Sequence, residues 1–130
     1  RLINATRGGT CNPRFSAAAT MPMESITSEQ VLHERMGASA LLVLFGGAQC
    51  GVCQAIRPRI ESMVAQSFPQ VAMAYIDCAQ ASAVCAQQGV FSLPVLRFYL
   101  GGQLVLERGR SFSLQEVGVE MERVLGLFSF

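Results

Sequence analysis

One stretch restricts this chain more than any other: Ala40-Leu-Leu-Val-Leu-Phe45, two glycines, then Cys50-Gly-Val-Cys53 and, five residues on, Pro58. A continuous apolar run of six reads as a fully buried strand. Gly46 and Gly47 end it. Beyond Cys53, the residues Ile56, Ile60, Met63 and Val64 recur at three- and four-residue spacing. That is one face of a helix, running to about Ser67 and expected to kink at Pro58, which lacks an N–H and crowds the preceding turn. Two cysteines therefore stand where a buried strand turns into a helix.

That placement has chemical consequences. Cys50 lies beside the unpaired N–H groups of the helix's first turn, whose partial positive charge favours thiolate over thiol. A free thiol of pKa about 8.5 is only about 3% ionised at pH 7. Bringing it to half ionisation takes about 2 kcal/mol, the upper end of what a helix N-terminus supplies. Cys53, one turn on, is expected to be less exposed and less acidic, and is close enough to close a disulfide. Redox exchange is thus the leading reading of the pair. Half of a zinc site and an inert remnant of a redox site are the alternatives. A zinc site would need two more ligands from Cys78, Cys85 and the isolated His33, which reads as a surface residue.

With 130 residues, 51% hydrophobic and 15% charged, the chain is large enough for one domain with one core. Its net charge is +1, every basic residue is arginine, and no long charge run occurs, so nothing draws it to nucleic acid or an anionic membrane. No apolar run approaches the roughly 18 residues of a membrane span. Five cysteines are an odd number, leaving at least one thiol unpaired within a monomer.

Residues 1–22 show no hydrophobic periodicity and lack the apolar core of a signal peptide. They read as a disordered or artificial extension with a natural start at Met21 or Met23, Cys11 being incidental; the remnant of a processed precursor is the alternative. The domain is expected over residues 23–126, with 127–130 as a tail. Thr27 and Gln30 offer a capping box for a helix carrying Val31, Leu32 and Met36 and stopped by Gly37. Past the central strand and helix, Phe68-Pro69-Gln70 is a break, Val71–Asp77 a second strand and Ala79–Gln88 a short helix ended by Gly89. Val95–Leu100 and Gln103–Arg108 flank Gly101-Gly102 as a hairpin. Ser113 and Glu116 form a capping box for a last helix with Val117, Met121, Val124 and Leu125. The order α-β-α-β-α-β-β-α predicts an α/β fold with one mixed sheet of four or five strands.

This order, the C-x-x-C after a buried strand, Pro58 five residues past Cys53, and Pro94 opening a hairpin strand together resemble thioredoxin over about Met23 to Gly126. The resemblance implies that Cys50 attacks, that Cys53 resolves, and that Pro94 is a cis-proline facing them. It also implies that the Leu93 backbone pairs with a substrate peptide as an added strand. Asp77-Cys78, six residues, Cys85, then Gly89-Val90 and Pro94 are similar to some protein disulfide isomerase catalytic domains. There the corresponding pair closes a structural disulfide, with two buried reduced thiols as the alternative here.

Departures matter as much. Gln49 replaces the family's usual tryptophan before the first cysteine, and Gly51-Val52 replaces Gly-Pro. The buried acid that relays a proton to the resolving cysteine falls at Leu44, and its usual lysine partner at Met73. The reading is a thiol:disulfide oxidoreductase acting as a monomer on protein disulfides, reset by a partner reductase or oxidant, with no cofactor or metal. A thioredoxin-fold binding or chaperone module with weak turnover is the alternative. A cytoplasmic location is expected, with periplasmic or secreted as the other possibility.

Overall fold

In chain order the elements are β1 (Glu24–Ser25), α1 (Glu29–Met36), β2 (Ala40–Gly46), α2 (Gly51–Ser67), β3 (Ala72–Asp77), α3 (Ser82–Gln87), β4 (Val95–Leu100), β5 (Gln103–Gly109) and α4 (Leu114–Leu127). They come from a computed structural model of the chain, which describes residues 22–127. Cys11, nearly all of the expected leader and residues 128–130 lie outside the described residues.

The sheet runs β1-β3-β2-β4-β5, with β1, β3 and β2 parallel and β4 and β5 antiparallel to their neighbours. Every residue of β2 is buried, and the alternation of its side chains explains the unbroken apolar run. Ala40, Leu42 and Leu44 face a cluster built with Ile60 and Val64 of α2 and Val117, Met121 and Val124 of α4. Leu41, Val43 and Phe45 face a second cluster with Leu32 of α1 and Val84 and Cys85 of α3. Helices cover both sides of the sheet, so neither face of the central strand needs polar residues.

Several boundaries move, each for a local reason. Ser28, not Thr27, caps α1: its Oγ accepts from Val31 N at 3.0 Å, which puts Val31 rather than Gln30 at the third position and removes the reciprocal half of the box. The first strand, β1, is missing from the sequence reading because it spans two exposed residues, and only its ladder with Ala74 and Tyr75 defines it. Val71 precedes β3 and instead closes the Phe68 turn, donating to Phe68 O at 2.9 Å. Residues 78–80 are a turn, not helix, because Asp77 Oδ1 accepts from Ala79 N and Gln80 N. The end of α3 is a Schellman motif: Val90 N donates to Cys85 O, Gly89 N to Ala86 O, and Gly89 has φ 73°. Gly101 and Gly102 both take positive φ, as a type I′ hairpin turn requires. At α4 Ser113 Oγ accepts from Glu116 N at 3.2 Å. Pro58 sits inside α2, which continues for nine residues beyond it to Ser67.

Candidate active site

Cys50 is the N-cap of α2, one residue ahead of the first helical position. Its Sγ accepts from Cys53 N at 3.2 Å, as a capping oxygen would, while Gln54 N donates to Cys50 O at 3.1 Å. A sulfur held there by a backbone N–H is stabilised as an anion. The Sγ atoms of Cys50 and Cys53 are bonded, with Cα atoms 5.2 Å apart. Cys50 is partly exposed, between exposed Gln49 and Gly51, whereas Cys53 is wholly buried.

Gly46 makes this geometry possible. A Cβ at that position would stand 3.0 Å from both Cys53 Cβ and the Tyr75 hydroxyl, so only glycine lets strand, helix and tyrosine converge. Tyr75 is nearly buried on β3, directly opposite Leu44 of β2. The register adds a residue beside this position. Met73 lies opposite Leu42, and the side chain across from Leu44 is Tyr75. Around the phenol, Gln54 Nε2 donates to its oxygen at 3.4 Å and to Gly47 O at 3.1 Å, and the Arg57 guanidinium lies 4.0 Å from the ring centre. Burial, then the Asp77 carboxylate, push the Tyr75 pKa above its ordinary value, with Arg57 and the Gln54 hydrogen bond pulling the other way. Glu61 sits farther along α2, accepting from Met23 N at 2.8 Å and facing Arg57 at 3.7 Å.

The loop before β4 closes the other side. The Leu93–Pro94 peptide bond is cis, Pro94 is buried, and a Cβ on Gly47 would lie 3.5 Å from Leu93 Cδ1. The Leu93–Pro94 loop thus rests on the turn that carries Cys50, whose N donates to Gly47 O. Two arginines fasten this loop. Arg97 donates to Gln88 O at 2.8 Å and to Glu107 at 2.7 Å, and lies over the Phe45 ring. Arg110, at φ 67°, donates its backbone N–H to Pro94 O at 2.8 Å. Cys78 and Cys85 are joined by a second disulfide, tying the end of β3 to α3. His33 is exposed and meets Glu29 at 3.0 Å. Among the described residues no group of three His, Cys, Asp or Glu stands together as a metal site, and no helix is long and apolar enough to cross a membrane.

Tyr75, Gln54, Arg57 and Arg97 were not singled out from sequence. A signal existed for the first three. Tyr75 shares a strand face with the core, where a buried hydroxyl needs a partner, and Gln54 and Arg57 lie within one turn of Cys53.

Comparison with known proteins agrees with this geometry. The thioredoxin family profile matches residues 23–116. A thioredoxin domain-containing protein 5 homolog of Drosophila melanogaster is 28% identical over 115 residues, covering 85% of this chain but only 28% of that protein. The thioredoxin Asp f 29 of Aspergillus fumigatus is 31% identical over 88 residues, covering 65% of this chain and 80% of that protein. In structure, thioredoxin from Trypanosoma brucei brucei superposes with a TM-score of 0.73 at 18% identity, over 88% of this chain and 99% of that one. A profile match across most of the described residues, with the Cys50–Cys53 pair at the cap of α2, places the chain in the thioredoxin family.

Proposed function

We propose that the chain exchanges disulfides with protein substrates, Cys50 making the first attack and Cys53 resolving the mixed disulfide. The observation that carries this reading is the asymmetry of the pair: one sulfur partly exposed at a helix cap, the other buried one turn inside. Substrate would lie along the Leu93 backbone, with exposed Val52 and Phe91 offering apolar contact on either element. A separate reductase or oxidant resets the pair. Reduced protein should accelerate insulin reduction by dithiothreitol at catalytic concentrations. No acceleration would favour the second reading, a binding or chaperone module with weak turnover, which the fully buried Leu44 in place of an acid supports.

The Cys78–Cys85 bridge bears on location. Closing a loop of this length is worth about 2.5 kcal/mol in the chain-entropy model. Such a bond persists in oxidising compartments and is rare in the cytosol. It favours the periplasmic or secretory alternative over a cytoplasmic one. Protein alkylated directly on lysis of its own cells should show Cys78 and Cys85 blocked from the reagent. Full alkylation of both would return the chain to a reducing compartment.

A further inference from the structure

Cys53 must lose a proton before it attacks a mixed disulfide, and burial in apolar surroundings opposes that loss. Leu44 supplies no acceptor. The nearby carboxylates each have one oxygen held within the fold. Asp77 accepts from Ala79 N and Gln80 N, and Glu61 from Met23 N while facing Arg57. Tyr75 differs from both. Its oxygen accepts from Gln54, the one side chain hydrogen-bonded to it through that oxygen among the described residues besides ring contacts, so its own proton is not committed there. That hydroxyl and Cys53 Cβ both border Gly46: each would stand 3.0 Å from a Cβ placed there.

We propose that the Tyr75 hydroxyl donates a hydrogen bond to the Cys53 thiolate when the pair is reduced, supplying from β3 the assistance to resolution that β2 lacks. This rests on the exchange reaction proposed above. In the step, Cys53 gives its proton to water and its thiolate attacks Cys50 sulfur in the mixed disulfide. The Cys50–Cys53 bond forms as the Cys50–substrate bond breaks, and the electron pair leaves on the substrate sulfur, which takes a proton from water. Tyr75 keeps its own proton throughout. The groups facing it are Gln54, Arg57 and, beyond Arg57, Glu61 from α2, and Asp77 from its own strand. Burial and Asp77 hold the phenol protonated beyond its ordinary range, so it is a donor wherever thiols titrate. A donor favours the charged form of its acceptor, whereas an ionised relay carboxylate would oppose it; the two devices leave opposite marks on the Cys53 pKa.

The test is Tyr75→Phe in the reduced full chain, with Cys53 titrated through its 13Cβ shift and resolution followed against pH. The variant should raise the Cys53 pKa by about one unit. At pH 7 resolution should slow only about threefold, since a tenfold loss of thiolate is partly offset by the greater nucleophilicity of a more basic one. Above its new pKa the variant should resolve faster than the parent. A merely disturbed core would slow resolution at every pH and produce no crossover. An unchanged Cys53 titration overturns the proposal. Because that titration needs no turnover, it is read separately from any failure of the parent to reduce insulin.

Discussion

Replacing Cys50 by serine is expected to remove disulfide exchange, lowering turnover by roughly 1,000-fold or more, since an un-ionised hydroxyl cannot replace a thiolate attacking sulfur. The fold should survive, because Cys50 is partly exposed and a serine oxygen is a good N-cap for Cys53 N. Cys53→Ser should behave differently. The first attack remains possible, but no second sulfur displaces the substrate, so a covalent adduct accumulates that only an added thiol reverses. Reduced variants mixed with a disulfide-containing peptide and analysed by mass spectrometry without reductant separate the two. An adduct on Cys50→Ser with none on Cys53→Ser would exchange the assigned roles. Equal adducts on both would mean that helix capping does not distinguish the two sulfurs.

The sequence carries the sheet's interior and the cysteine turn because both are local. An unbroken apolar run means two covered faces, and Gly46, Cys50 and Cys53 mark a strand giving way to a helix. It loses what depends on register. Tyr75 is opposite Leu44 only once β2 and β3 pair, and nothing local in the chain announces that pairing. β1 is invisible for the same reason: two exposed residues acquire meaning only from the β3 ladder. The cap of α1 slips by one because Thr27 and Ser28 are chemically alike, and only the Ser28 Oγ contact to Val31 N decides between them. Arg97 had no sequence signal, since its partners Gln88 and Glu107 come from two other elements.

The replaced acid leads to the largest expected gain. Leu44 is wholly buried and its neighbour across the strands is a neutral phenol, so neither residue offers Cys53 a base, and on the exchange reaction proposed above its proton should go to water. Resolution, rather than the first attack, should therefore limit turnover near pH 7, and the mixed disulfide should build up. Leu44→Asp places a carboxylate on the strand face that Gly46 shares, two residues before the contact with Cys53. A positioned general base is worth about 100-fold, so resolution should quicken by about that factor. Burial would raise the pKa of the introduced carboxyl, while a hydrogen bond donated by Tyr75 across the ladder would limit the rise. The cost falls on stability. The raised group is neutral, and least harmful, below the ordinary carboxyl range, and it destabilises increasingly as pH rises through that range, where the unfolded chain ionises first. The variant should thus unfold at lower denaturant at pH 7 than at pH 4, relative to the parent at each pH. Stopped-flow kinetics with a model disulfide measures the rate directly. Equal resolution rates in parent and variant would show that Cys53 already has a base, and Glu61, released from Met23 N, would be the next side chain to replace.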